Sequence, residues 1–274
     1  MGIGSEGNKK MIPTSYGATW RGTTMGKDHV SNSYIERQKA IHGKKPLAER
    51  RSALIIGADP GNIGDAIKLR LLGDGIGINC PHVLDFDVRS PPEKFVNSYD
   101  ILILANGYTK LNWFEDNTHE NIQHTFDVNV IGSLKTANQF VKNTIDKPYK
   151  KYIVFIGSMA YRNVLNGSAA YCASKAALAM ATKCLAWELA PKGYNVFCVH
   201  PSNTEGTPMT ERTITGLMRY RNLDRERAEA YWGAVLPKDK WLQPDDIAET
   251  VSFLVSGKAD YQSGANVELA GGQR

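Results

Sequence analysis

From Ser52 onward the chain alternates short β-branched runs with longer helical stretches, and this alternation limits the folds open to it. The runs are ALIIGA (53–58), HVLDFDV (82–88), ILILA (101–105), YIVFIGS (152–158), NVFCVHP (195–201) and NVELAGG (266–272). Their apolar residues fall at successive positions rather than at alternate ones. A strand of that kind is buried on both faces, as happens in a parallel sheet covered by helices on each side. Helical patterns lie between the runs, most plainly at 119–143, 171–190 and 245–256. The pattern predicts an α/β fold, a Rossmann-type doubly wound parallel sheet in a single domain, with ligands at the carboxyl ends of the strands.

The first fifty residues read differently. They are rich in Gly, Ser, Thr, Asn and Lys and show little periodicity, apart from a short helix that Ser33 caps and Gly43 ends. Residues 1–51 carry ten Lys and Arg against four Asp and Glu, a charge of +6, while the remaining 223 residues sum to −1. The division expected is a basic N-terminal arm over 1–50 and a near-neutral catalytic domain over 51–274. A nucleic-acid enzyme keeps a basic stripe on its folded part, so no nucleic-acid partner is expected. With 42% apolar and 22% charged residues the chain has an ordinary globular composition. It holds no run of 18 apolar residues, and MGIGSEGNKK has no apolar signal core; the expectation is a cytoplasmic protein with no membrane contact. Cys80, Cys172, Cys184 and Cys198 form no CxxC pair and have no histidine at metal spacing, so they read as reduced packing residues and no metal is expected.

Directly after the first run stands Gly57-Ala-Asp59-Pro-Gly61-Asn62-Ile63-Gly64, leading into DAIKLRLLG. Glycines permit a tight turn and close backbone approach to a pyrophosphate, while the N-terminus of the following helix supplies N–H groups and positive potential. Asp59 repels an additional 2′-phosphate, which tilts the expected cofactor, NAD or NADP, slightly toward NAD.

The most specific signal is Tyr171-Cys-Ala-Ser-Lys175 opening a helix, with Ser158 thirteen residues earlier at a strand end and Asn129 twenty-nine residues before that. Tyr and Lys four apart share a helix face, which sets an ammonium beside a phenol. A phenol titrates near ~10, so work as a general acid or base near neutrality needs its anion stabilised by roughly 3–4 kcal/mol. Lys175 and a nicotinamide cation are suited to that, and Ser158 to holding a substrate oxygen as charge develops on it.

Together these motifs resemble the classical short-chain dehydrogenase/reductase family, over about Ser52 to Arg274. VNVIG carries the family's asparagine as Asn129, FIGSMA its serine as Ser158, and AYCASKAAL its tyrosine and lysine as Tyr171 and Lys175. Asp87-Val88 is similar to the pair that meets adenine, and LANG places Ala105, Asn106 and Gly107 where the family shows NNAG. Pro201 opens a stretch resembling the family's Pro-Gly turn, with Thr204, Thr207 and Met209 following. The resemblance implies hydride transfer between NAD(P) and an alcohol or carbonyl. Tyr171 would then be the acid/base, Lys175 would bind ribose and lower the tyrosine pKa, and Asn129 would hold a water of a proton relay. Substrate would meet Ser158, Tyr161, Tyr171 and Met209.

The chain also departs from that pattern. The glycine loop is one residue longer than GxxxGxG, with its last two glycines spaced as in sugar epimerases, and Ser202 stands in place of the turn glycine. Only 23 residues separate Gly64 from Asp87, too few for a second strand, a helix and a third strand. GIGIN (75–79) is the candidate rudimentary second strand; Asp85 is the candidate cofactor-selecting residue if DFDV takes that place instead. Residues 203–243, with Met209, Leu217, Met218, Tyr220, Tyr231, Trp232 and Trp241, match the position of a mobile substrate cover. Trp113 and Phe114 are candidates for shaping the pocket. The helix at 171–190 is apolar nearly all round, which predicts a homodimer or homotetramer. Enoyl reduction is disfavoured, because that branch has six residues between its tyrosine and its lysine, which would put the tyrosine at Ser168. The alternative from another class is a non-catalytic dinucleotide-binding sensor or scaffold of the same fold.

Overall fold

A computed structural model of the protein describes residues 51–82, 86–95, 98–143, 150–234 and 241–273. The expected arm with its short helix, and Asp85, lie outside the described residues. Six parallel strands make one sheet: β1 (Ser52–Ile56), β2 (Gly77–Asn79), β3 (Ile101–Leu104), β4 (Lys151–Ile156), β5 (Tyr194–Pro201) and β6 (Asn266–Leu269). Their order across the sheet is β2-β1-β3-β4-β5-β6. The chain runs outward from β1 to β2 and then returns to the other side of β1, so the strand order reverses between β1 and β3. A crevice opens at such a point, outside the carboxyl ends of the two strands.

The successive apolar residues divide between the two faces. Ile55, Ile103, Val154 and Val199 point to one face, where they meet Ile67 and Leu71 of α1 (Ile63–Gly73) and Ile247, Val251 and Val255 of α7 (Pro244–Val255). Leu54, Leu102, Phe155 and Cys198 point to the other, against Phe140 of α3 (Gly132–Asn143) and Leu178 and Ala186 of α4 (Ala169–Leu189). Each fully buried side chain of this size stabilises the fold by roughly 1.5–3 kcal/mol. Ahead of α3 come α2 (His119–Phe126) and a five-residue π-helical turn, Asp127–Ile131. The single helix expected over 119–143 is therefore helix, π turn and helix in unbroken succession.

The expectation of a strand at 82–88 is corrected. His82 and Phe86–Val88 are not in a strand, and 83–85 lie outside the described residues. Asp87 explains the change: its carboxylate accepts the Arg89 N–H at 2.9 Å, and its carbonyl accepts the Ser90 N–H at 2.9 Å. That local turn competes with strand pairing, although Phe86 and Val88 still bury their side chains. GIGIN supplies the second strand, three residues long, and β2 is the edge of the sheet.

The long segment before α7 folds into α5 (Pro208–Arg221) and α6 (Arg225–Gly233). Leu111, Ile214, Leu217 and Ala228 form a separate small core there, with Met218, Trp232 and Trp241 packed against it.

Two glycines fix how the first loop closes. Gly57 has φ +82°, and a Cβ there would lie 2.8 Å from the Ala105 carbonyl carbon and the Asn106 nitrogen. A Cβ on Gly64 would come within 2.1 Å of the Gly57 carbonyl oxygen. Backbone cannot yield to either contact, so Gly64→Ala should lower stability by roughly 1–3 kcal/mol. Urea denaturation checks this; an unchanged midpoint would show that the loop tolerates a larger residue.

Candidate active site

The crevice holds a cavity of about 360 Å³. Its walls come from the start of α1, the ends of β3, β4 and β5, the first turns of α4, and the cover helices α5 and α6. Ser158, Tyr171 and Lys175 all line it, and Asn129 supports it from behind.

β4 ends at Ile156, and the chain then turns through Gly157 into Ser158, which caps a short 3₁₀ turn, Met159–Tyr161. The Ser158 Oγ accepts the Ala160 N–H at 3.2 Å, and the Ser158 side chain acts on the Tyr171 phenol to draw its pKa down. Tyr171 lies in the first turn of α4, with Lys175 one turn on and only 2% exposed. The Lys175 Nζ donates to the Ile156 carbonyl at 2.9 Å and sits 5.6 Å from the centre of the Tyr171 ring. Burial pushes the Tyr171 phenol up to about 12, against the opposing effect of Ser158. Burial also brings the Lys175 ammonium down to about 8. Both groups thus lean toward their neutral forms, and the group that draws the phenol down here is Ser158 rather than Lys175.

Asn129 lies within the π turn, buried. Its Nδ2 donates to the Tyr108 carbonyl and to the Ser174 Oγ, both at 2.9 Å, and its Oδ1 accepts the Tyr108 N–H at 2.7 Å. Ser174 in turn donates to the Tyr171 carbonyl at 2.7 Å. The asparagine side chain therefore ties the loop after β3 to the helix that carries Tyr171.

Of the residues expected to hold a dinucleotide, Ile63, Ala105, Asn106, Gly107, Tyr171, Lys175, Pro201, Thr204 and Thr207 line the cavity. Thr207 uses its hydroxyl to cap α5, accepting the Thr210 N–H at 3.1 Å. Gly57, Asp59, Gly61 and Asn62, in the loop before α1, and Gly64, in its first turn, are not on the lining, and neither are Asp87 and Val88. The loop is partly satisfied from within. Asn62 caps α1 by accepting the Asp65 N–H at 2.9 Å, and the Asp65 carboxylate accepts the Gly61 N–H at 3.2 Å. The N–H groups of Ile63 and Gly64, in the first turn, have no partner within the helix. Asp87 is held well below the ordinary carboxylate range by hydrogen bonds from Arg89. Met209 is on the cavity wall, while Tyr161 is not: its ring lies against His200, centroids 4.0 Å apart, and its hydroxyl donates to Glu268. Trp113 stacks on Tyr220 and Phe114 is exposed, both away from the cavity.

The residues fit a nicotinamide dinucleotide at its ribose and nicotinamide end. Lys175 gives one of its three protons to a carbonyl and has two left on the cavity wall, as a ribose diol requires. The close passage of Gly57 under the β3 end and the open turn of Gly61 suit a pyrophosphate, although Asp65 already occupies one N–H that such a group would use.

His200 was not among the residues that the motifs singled out, although a histidine inside an apolar strand was visible there. It is fully buried on β5; Nε2 lies 2.9 Å from the Asn266 Oδ1, while Nδ1 lies 3.2 Å from the Ser158 nitrogen and 3.0 Å from its oxygen. An amide oxygen only accepts, so Nε2 carries a proton, and Nδ1 of the neutral ring accepts the Ser158 N–H. His200 thus braces the peptide that presents Ser158.

The family model described as enoyl-(acyl carrier protein) reductase matches residues 91–274. Fold, site and this match place the chain in the classical short-chain dehydrogenase/reductase family, whose members are NAD(P)-dependent oxidoreductases. An uncharacterized oxidoreductase of Methylorubrum extorquens is 33% identical over 237 residues, 84% of this chain and 91% of that one. An L-xylulose reductase of Caenorhabditis elegans is 32% identical over 155 residues, 57% of this chain and 58% of that enzyme. The solved structure of Thermoplasma acidophilum aldohexose dehydrogenase is 22% identical, covers 82% of this chain and 94% of that one, and superposes with a TM-score of 0.73.

Burial lowers the His200 pKa. Its ordinary value is ~6.5, so below that the unfolded chain binds the proton that the folded one refuses, and stability falls as pH drops. His200→Gln should flatten this acid limb. Urea midpoints at about pH 5 and pH 7.5 decide it; an identical slope in the variant would assign the acid limb to other groups.

Proposed function

We propose that the chain interconverts a small-molecule alcohol and its carbonyl with an NAD(P) cofactor, with Tyr171 as the general acid/base. The observation carrying this is the convergence of Ser158, Tyr171 and Lys175 on the lining of one cavity, with the ammonium one helical turn from the phenol and 5.6 Å from its ring centre. The bound nicotinamide supplies or takes the hydride. Ser158 orients the substrate oxygen and offers its hydroxyl to the charge developing there. Tyr171 exchanges the proton with that oxygen, Lys175 binds the ribose, and Asn129 holds the relay side of the site in place.

The relatives' names point to alcohol and carbonyl chemistry, as with the xylulose reductase. The matching family model carries an enoyl reductase description, but Ser168 stands where that branch has its phenol. Asp59 and Asp65 both flank the phosphate loop, and their charge favours NAD over the more anionic NADP.

A homo-oligomer built on α4 belongs to the same reading. Ala173, Ala176, Met180, Cys184 and Trp187 form an outward stripe at helical spacing, with Met180 60% and Trp187 86% exposed. An apolar stripe of that kind is suited to a second copy of the chain.

Tyr171→Phe should reduce kcat about 10²–10⁴-fold while NADH still quenches or enhances fluorescence with nearly the same Kd. Turnover at the wild-type rate would remove Tyr171 from the mechanism. NADH should bind more tightly than NADPH, and Asp59→Ala should narrow the gap in the same titration. For assembly, Trp187→Asp should lower the mass seen by light scattering; a wild-type monomer would end that part of the reading.

A further inference from the structure

The cavity lining carries a charge that the proposed reaction does not use. Among the described residues on its wall there is no Asp or Glu, and the charged ones are Lys175 and Arg221. Lys175 is occupied by Ile156 and committed to the cofactor. Arg221, the last residue of α5, makes no hydrogen bond or ion pair with any described residue, and its Nε is buried without a partner. Its neighbours on the cover show the contrast: Arg219 donates to Asn112, and Arg225 is paired with Glu211 and Glu229.

Arg221 is nevertheless held in place. Its guanidinium carbon lies 4.4 Å from the centre of the Tyr231 ring. Stacking of this kind leaves the in-plane N–H groups of a guanidinium available, the fork that matches a carboxylate. Two more donors among the lining residues, the Asn163 Nδ2 and the Trp232 Nε1, are buried without acceptors. The described lining thus holds one guanidinium that no acidic residue balances.

Resting on the oxidoreductase reading above, we infer that the substrate is an oxo acid or the matching hydroxy acid, with its reacting carbon at Ser158 and Tyr171 and its carboxylate on Arg221. A single guanidinium balances a monoanion, which favours a carboxylate over a phosphate. The carboxylate supplies the counter-charge that Arg221 lacks among the described lining residues, and it fixes which end of the molecule reaches Tyr171.

The test compares 4-oxopentanoate and 5-oxohexanoate with their methyl esters, which keep the carbonyl chain and lack the negative charge. Binding is read by calorimetry on the Tyr171→Phe protein saturated with its preferred cofactor, so it does not depend on turnover; kcat/KM is read on the wild type. We expect at least one acid to bind about tenfold more tightly than its ester, Arg221→Gln to bring the ratio to within about twofold, and Arg221→Lys to restore part of it. Unfolding curves of both Arg221 variants check that they fold. The inference is overturned if esters bind as well as the acids, if Arg221→Gln leaves the preference intact, if dihydroxyacetone phosphate binds more tightly than either acid, or if neither acid binds at millimolar concentration. Esters reduced well without acid preference would remove this assignment and leave the oxidoreductase reading standing. Failure to bind NADH or NADPH would instead strike the reading beneath it.

Discussion

An ammonium group that is 2% exposed must find acceptors inside the protein, and Lys175 finds its first in the carbonyl of Ile156, the last residue of β4. That bond joins the start of α4 to the carboxyl edge of the sheet and sets the height at which Tyr171 stands. Around it the other supports fall into line. Asn129 ties α4 to the loop after β3 through Ser174, and His200 holds the Ser158 peptide from β5. Three strands and two helices are thus coupled at one point, and the polar groups that join them are buried under walls that are mostly apolar.

Most of the fold was legible in the sequence because strands buried on two faces leave a plain mark. Ile101–Leu104 and Lys151–Ile156 are buried at every position, and each was visible as an unbroken apolar run. The run at 82–88 had the same look, but its described residues, His82 and Phe86–Val88, are not in a strand, because Asp87 satisfies two backbone N–H groups locally. A side chain that bonds its own backbone acts over two or three residues, and no reading of periodicity registers it. The π turn escaped for a related reason: it keeps the helical direction and shifts the bonding by one residue.

The candidate pair Tyr171 and Lys175 stood out because its spacing is set by local geometry, one helical turn. That Tyr161 would stand off the cavity and Arg221 on its lining was not legible, because neither position is decided locally. Tyr161 turns toward Glu268, 107 residues away in the chain. Arg221 reaches the cavity only because α5 and α6 fold back over the strand ends, an arrangement that no spacing announces. The phosphate loop shows the same limit. Its glycines were plain, but that Asp65 takes up the Gly61 N–H was not, since an acidic residue in a first helical turn ordinarily serves the helix dipole.

The shortness of β2 has a bearing on how the sheet meets its surroundings. An edge strand exposes a row of backbone groups that can template pairing with another chain, and the hazard grows with the length of the row. Here the sheet ends on Gly77–Asn79, and the Asn79 side chain is already engaged by Tyr99. Three residues leave little ladder to extend, so a sheet that ends in this way presents no long adhesive border on the β2 side.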